Sequence, residues 1–276
     1  MKSINCNGTL IDLSSPKVMG ILNVTPDSFF DGGKYNNPTA IVNHVEKMLS
    51  EGATFIDVGA YSSRPGSKHI SEEEELKRIS PIIKLLITEF PNLLISVDTF
   101  RSKIAKYCIQ NGACMINDIS AGSLDSEMFS TIAKLQVPYI MMHMQGTPQN
   151  MQAKPSYNNV VKDVLYFFSE KMNELRTFGV NDIISDVGFG FGKTIEQNYQ
   201  LLKHLELLKS LDIPTLVGLS RKSMLFKPLE INQNEALNAT TVANTIALLN
   251  GGNILRVHDV KEANEAIKVV ELLNKN

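Results

Sequence analysis

Four polar residues spread along the chain, Asp98, Asn117, Asp186 and Lys222, form a set with a definite chemical use. Two carboxylates can each accept paired hydrogen bonds from an amino-imine edge. An amide donates and accepts, and an ammonium donates to a carbonyl or a ring nitrogen. Together they suit a flat aminated heterocycle. A second set, Arg64, Arg256 and His258, consists of donors that match phosphate or carboxylate oxygens. Arg256 and His258 are two residues apart in an apolar run, so on a strand both point to the same side. A third feature is the run Gly188-Phe-Gly-Phe-Gly-Lys193. It lacks Walker spacing, so it reads as close backbone approach to a flat ligand, with Phe189 or Phe191 as a stacking wall, rather than as a phosphate cradle.

The segment Asn23 to Gly33 carries Asp27, Asp31, Thr25, Ser28 and the adjacent pair Phe29 and Phe30 directly after an apolar run. Connections favour small polar and turn residues, so aromatics beside carboxylates point to a segment that folds over something. The plainer alternative is that the rings tuck back into the core. No Ser-His-Asp set is evident, and no His/Cys group has zinc spacing. His44 and His204 fall in helical stretches. His143 ends a strand where packing is as good a role as catalysis, and His258 is the candidate with a partner, Arg256.

The elements that must position these groups are legible as a repeat. Short apolar runs occur near 17–22, 54–58, 93–97, 113–116, 137–142, 182–185, 213–219 and 253–257, with amphipathic stretches between them. The first helix runs 38 to 51, with Pro38 at its start and Gly52 past its end. The second opens on Ser71 and Glu74 as a capping box, with Glu72 to Glu75 as a solvated first turn. Helices near 101–111 and 158–178 stop at Gly112 and Gly179. Strands alternating with helices imply βαβ units. The repeat predicts α/β class, a single (β/α)8 TIM barrel domain over 1–276, with an N-terminal hairpin (1–16) turning at Asn7-Gly8. A doubly wound sheet is the alternative, but no GxGxxG follows the first strand.

In a barrel the C-terminal strand ends carry the chemistry. Each predicted strand exit delivers a polar residue: Asn23; Asp57 with Ser62, Ser63 and Arg64; Asp98; Asn117 and Asp118; His143; Asp186; Ser220, Arg221 and Lys222; Arg256 and His258. Any one of these could be an ordinary helix cap. Their convergence predicts a polar pocket.

Composition excludes other classes. With 27 basic against 29 acidic residues the net charge is −2, which lacks the basic excess of a nucleic-acid binder. No apolar run approaches the about 18 residues of a membrane span, and Met1 to Asn5 has no signal-peptide core. Cys6, Cys108 and Cys114 are odd in number and form no CxxC pair, which fits reduced thiols in the cytoplasm.

In order along the chain, Met19-Gly-Ile-Leu-Asn-Val-Thr-Pro-Asp-Ser-Phe29, Asp57-Val-Gly59, Ser63-Arg-Pro-Gly66, Ser96-Val-Asp-Thr99, Ile116-Asn-Asp118, Met142-His-Met-Gln-Gly146, Gly188 to Lys193, Ser220-Arg-Lys-Ser223 and Arg256 to Val260 resemble the dihydropteroate synthase family of pterin-binding enzymes. That resemblance implies condensation of 6-hydroxymethyl-7,8-dihydropterin diphosphate with 4-aminobenzoate, giving 7,8-dihydropteroate and pyrophosphate in folate biosynthesis, with Mg²⁺ as cofactor. It also implies small-molecule substrates only and a homodimer. By the same resemblance Asp98, Asn117, Met142, Asp186, Phe191 and Lys222 line the pterin pocket. Asn23, Ser63, Arg64, Arg256 and His258 serve the diphosphate, with Asn23 also the metal contact. Phe29, Ser63, Pro65, Gly190, Phe191 and Ser223 serve 4-aminobenzoate, and Asp31, Arg64 and Lys222 act in catalysis. The family's second loop usually reads Gly-Glu-Ser-Thr-Arg-Pro-Gly; here it is Ala60-Tyr-Ser-Ser-Arg-Pro-Gly66. Phe30 stands where Ser is usual, and Val187 replaces a Pro. Pterin-dependent methyl transfer and a non-catalytic pterin-binding role are the alternatives.

Overall fold

A two-residue turn sets the first element. Asn7 and Gly8 both take positive φ, 51° and 85°, which matches the twist of a tight hairpin. It joins β1 (Ser3–Cys6) to β2 (Thr9–Asp12) in antiparallel register, Cys6 opposite Thr9. This is a computed structural model, and it describes residues 3–24, 37–62, 69–151 and 155–275.

Eight parallel strands follow and close on themselves: β3 (Lys17–Asn23), β4 (Phe55–Gly59), β5 (Leu94–Asp98), β6 (Met115–Asp118), β7 (Tyr139–Met142), β8 (Ile183–Asp186), β9 (Thr215–Val217) and β10 (Ile254–Val257). Closure pairs β10 with β3, Arg256 opposite Met19. The helices between them are α1 (Pro38–Ser50), α2 (Glu72–Glu89), α3 (Ser102–Gln110), α4 (Met128–Leu135), α5 (Val160–Thr177), α6 (Ile195–Lys203), α7 (Ser223–Phe226), α8 (Leu237–Leu249) and, after β10, α9 (Val260–Lys275). The (β/α)8 expectation holds, hairpin included. His204 caps the C-terminal end of α6 instead of lying within a helix. Among the described residues no helix is long and apolar enough to cross a membrane.

The two-residue period of a strand sorts every side chain to one of two layers. Ile56, Val58, Ile95, Val97, Ile116, Met141 and Leu255 point outward and pack under Ile41, Val45, Ile79, Ile83 and Val260 of the helices. Met19, Phe55, Met115, Ile140, Ile184, Leu216 and Ile254 point inward and fill the barrel floor, where Ile4, Cys6 and Leu13 of the hairpin segment close the N-terminal mouth. Burying each such side chain is worth roughly 1.5–3 kcal/mol. Two residues further along six of these strands, the same inward phase delivers Asp57, Asn117, Met142, Asp186, Gly218 and Arg256. The apolar floor therefore supports a polar layer directly above it.

One helix start departs from the expectation. Ser71 caps Glu74 N–H at 3.2 Å, but the Glu74 carboxylate pairs with Arg78 Nε at 2.7 Å, leaving only half a capping box. Glu75 is not solvated. It shares the buried face of α2 with Ile79, Ile83 and Leu86, as helical spacing requires. There its carboxylate pairs with Arg101 Nη1 and accepts from Thr99 Oγ1 at 2.7 Å.

Candidate active site

Arg256 organises one half of the polar layer. Its Nε donates to Asp57 Oδ2 at 2.6 Å and its Nη2 to Asp98 Oδ2 at 2.9 Å. Asn117 Nδ2 donates to the same Asp57 oxygen at 3.0 Å, which fixes the amide's orientation. The other Asp57 oxygen, Oδ1, is buried without a partner. Burial pushes Asp98 up to about 7, with Asp57 adding to the shift and Arg256 opposing it. For Arg256 burial works against the charge, but Asp57 and Asp98 outweigh it and hold the guanidinium above its usual value. The neighbouring Gly59 lies against both side chains: a Cβ there would be in ordinary contact with Asp98 Cβ at 3.4 Å and Asn23 Oδ1 at 3.6 Å. Asn23 and Asp98 thus face one cleft.

Asp186 and Lys222 form the other half. Asp186 ends β8, and its Oδ1 accepts from Gly188 N–H at 2.8 Å. Burial raises its pKa, while Lys222 opposes the rise. Lys222 is delivered by a tight turn after β9, closed by its own N–H to Leu219 O at 3.2 Å, with Arg221 at φ 54°. Its Nζ donates to Phe189 O and stands 4.8 Å from the centre of the Phe191 ring. Burial pulls Lys222 down to about 8, and Asp186 holds it up.

The glycine-rich loop separates its two rings. Phe189 is wholly buried in the core under the helices. Phe191 reaches the pocket and packs with Met142, Tyr61, Phe100 and Ile119, an apolar wall beside the polar groups. Of the two aromatic candidates, Phe191 is the wall. The loop needs its glycines: Gly188 has φ 67° and a Cβ there would lie 2.1 Å from His143 O, and Gly192, at φ 59°, would put one 2.7 Å from Gln145 O.

A pocket with two carboxylates, an amide, an ammonium and an aromatic wall at the C-terminal end of a closed barrel limits the comparisons that make sense. Residues 19–258 match the family model described as "Pterin binding enzyme". The dihydropteroate synthase of Escherichia coli (strain K12) is 42% identical over 266 residues, 96% of this chain and 94% of that one. The chain belongs to the dihydropteroate synthase family of pterin-binding enzymes. It is accordingly a transferase. A Yersinia pestis dihydropteroate synthase solved in a sulfonamide drug complex superposes with a TM-score of 0.95 at 41% identity, covering 99% of this chain and 100% of that one. The Xanthomonas albilineans dihydropteroate synthase with 4-aminobenzoic acid gives 0.91 at 36% identity, covering 99% and 98%.

Within this synthase-family barrel, the structure brings together Asn23, Asp98, Asn117, Met142, Asp186, Phe191, Lys222 and Arg256 at the cleft or its wall. His258 stands on the same edge, its Nδ1 2.9 Å from Ser220 Oγ and its backbone N–H donating to that oxygen at 3.2 Å. Ser223 opens α7, with Lys222 at the cap position. Phe29, Phe30, Asp31, Ser63, Arg64 and Pro65 lie outside the described residues.

Three strand-exit residues turn away from the pocket. Asp118 accepts from Ser120 N–H and Oγ–H, Gly122 N–H and Tyr139 Oη–H, so it builds its own loop. Arg221 makes a two-pronged pair with Asp259, at 2.9 and 2.8 Å. His143 packs its ring against Phe167 and Tyr157. Burial pushes it down to about 3, which keeps it neutral. Sequence reasoning missed Asn198, whose Oδ1 holds Gly190 N–H at 2.8 Å. Tyr61, part of the second loop's departure from the family pattern, brings its phenol to His69 Nδ1 at 3.1 Å and accepts from Gln149 Nε2 at 2.9 Å.

Proposed function

We propose that the chain joins 6-hydroxymethyl-7,8-dihydropterin diphosphate to 4-aminobenzoate, forming 7,8-dihydropteroate and pyrophosphate. The observation that carries this is the placement of Asp98, Asn117, Asp186 and Lys222 around one cleft, above an apolar floor and beside the Phe191 ring. The carboxylates accept the pterin's amino and ring N–H hydrogens, and Lys222 donates to its carbonyl or ring nitrogen. The bound 4-aminobenzoic acid of the Xanthomonas albilineans relative supports the second substrate here.

In the reaction the bond between the exocyclic methylene carbon and the diphosphate oxygen breaks, and its electron pair leaves with pyrophosphate. The amine nitrogen forms the new C–N bond and gives up a proton. Arg256 and His258 stabilise charge developing on the leaving group. Asp31 is assigned to the cationic methylene and Arg64 to the diphosphate; near wild-type turnover of Asp31→Ala at saturating substrate would remove the first assignment.

Mg²⁺ suits the residues present in a particular way. Among the described residues no three His, Cys, Asp or Glu side chains gather as a metal cage, but Mg²⁺ typically keeps several waters and binds through one or two protein oxygens plus substrate phosphates. Asn23 Oδ1, facing the Asp98 cleft, is such an oxygen. When bound, the ion would neutralise the departing diphosphate.

The same reading places the enzyme in the cytoplasm as a homodimer. Its three cysteines are buried and free, as in reducing compartments. Val242, Ile246 and Leu249 line one exposed face of α8, and α9 beside it exposes Val269 and Leu273; patches of this kind mark contact surfaces.

Pyrophosphate release measured with pterin diphosphate, 4-aminobenzoate and Mg²⁺, each omitted in turn, tests the reaction. Release that depends on all three is expected; release without the amine or the metal would refute it.

A further inference from the structure

Lys193 is a buried lysine that touches no expected substrate group; burial pulls it down to about 7, and Asp186 opposes the fall. The residue is only 4% exposed, and its Nζ donates to Phe191 O at 2.9 Å, Gly188 O at 3.0 Å and His143 O at 3.1 Å. Three carbonyls around one nitrogen require three N–H hydrogens, which only the ammonium supplies; a neutral amine would aim its lone pair at one of them. With every proton committed, Lys193 has none to offer an anion, so the glycine loop is not a phosphate cradle.

The three carbonyls come from separate places. Gly188 and Phe191 flank the loop's turn, and His143 follows β7. One charge therefore ties the loop to the neighbouring strand exit. Asn198 completes the hold: its Oδ1 takes Gly190 N–H at 2.8 Å, while its Nδ2 donates to Thr194 O at 2.6 Å. The Gly190–Phe191 unit is thus fixed on both sides, by its N–H through Asn198 and by its C=O through Lys193. Of the pterin carboxylates, Asp98 is anchored elsewhere, on Arg256, while Asp186 accepts from Gly188 N–H at the strand end of the same loop.

We infer that Lys193, supported by Asn198, is a positioning residue for the amine substrate, acting through the backbone of Gly190 and the ring of Phe191. The inference rests on the assignment of 4-aminobenzoate to this side of the pocket. It predicts a split in kinetic parameters that a general loss of structure would not produce.

The test compares Lys193→Met, which has no donor, with Lys193→Gln, which keeps two N–H groups, and with Asn198→Ala. Misplacement of a contact by about 1 Å costs up to about 100-fold, so KM for 4-aminobenzoate should rise on the order of 10- to 100-fold in Lys193→Met and less in the other two. KM for the pterin diphosphate, held also by Asp98 and Asn117 off this loop, should rise by a clearly smaller factor. A parallel rise in both KM values, or no change in either, overturns the inference while leaving the reaction intact. A wild-type enzyme that releases no pyrophosphate fails the reaction, and the inference with it. Should Lys193→Met not fold, the other two variants decide; loss of folding in all three makes the role structural and overturns the inference.

Discussion

Arg256 stands between two carboxylates on neighbouring strands, 2.6 Å from Asp57 and 2.9 Å from Asp98. Asp57 is wholly enclosed, whereas the Asp98 side chain keeps 18% of its surface exposed toward the cleft. The pair is unequal, and the exposed partner is the one a substrate can reach.

This predicts a pH profile for pterin binding. Asp98 is held up at about 7, so the carboxylate proposed to accept pterin N–H groups is populated as pH rises through that value. Lys222 is pulled down to about 8, so its donor is lost above it. Affinity should peak between the two and weaken on either side. Calorimetry with a diphosphate-free pterin checks it, and Asp98→Asn should flatten the acid limb. Stability follows the opposite course. The folded state keeps the Asp98 proton up to about 7, while the unfolded chain releases it near 3.8. Across that window the folded state binds more protons, so this group's contribution falls as pH rises. Asp98→Asn should remove that slope from urea-denaturation series.

The Glu75–Arg101 pair gives a stability prediction away from the chemistry. Burial raises the Glu75 pKa, while Thr99 and Arg101 oppose the rise. Removing one partner of a buried pair leaves an uncompensated charge, at about 3–5 kcal/mol. Arg101→Met should lose stability on that scale in urea unfolding. Glu75→Gln combined with Arg101→Met should recover much of it, because the amide still accepts from Thr99.

The apolar face of α8 and α9 predicts the assembly. Ile246→Glu and Val269→Glu each place a charge on it, and each should shift sedimentation equilibrium toward monomer with the fold retained. A dimer that survives both substitutions puts the interface elsewhere.

Much of the site is legible in the sequence because a strand's two-residue period is rigid. Once Phe55, Met115, Ile184 and Ile254 form the floor, Asp57, Asn117, Asp186 and Arg256 must stand above them. The same period turns Asp118 outward after Asn117, and His143 outward after Met142; a list of strand exits loses that distinction. Glu75 was hidden for a different reason: three acids precede it, and only the 75, 79, 83, 86 spacing shows which one faces inward. Phe189 and Phe191 alternate equally with glycine, so spacing alone cannot choose between them. That choice is made by backbone torsions and by the carbonyls that Lys193 gathers from two loops, which no linear pattern displays.

The glycines of that loop separate stability from activity. Gly188→Ala meets two obstacles, a positive φ costing about 1–2 kcal/mol for an L side chain and a Cβ placed 2.1 Å from the His143 carbonyl, which is backbone and cannot swing away. It should destabilise by more than the torsional cost alone and lower the melting temperature accordingly. Gly190→Ala carries a similar torsional cost at φ 80°, but its Cβ meets only Lys222 Cδ at 3.3 Å, part of a flexible stem. The stem yields, and its movement takes Nζ away from the Phe189 carbonyl and the Phe191 ring. Gly190→Ala should therefore unfold closer to wild type than Gly188→Ala does, yet lose pterin affinity and turnover. Equal melting temperatures for the two variants, or full activity in Gly190→Ala, would contradict this placement of Lys222.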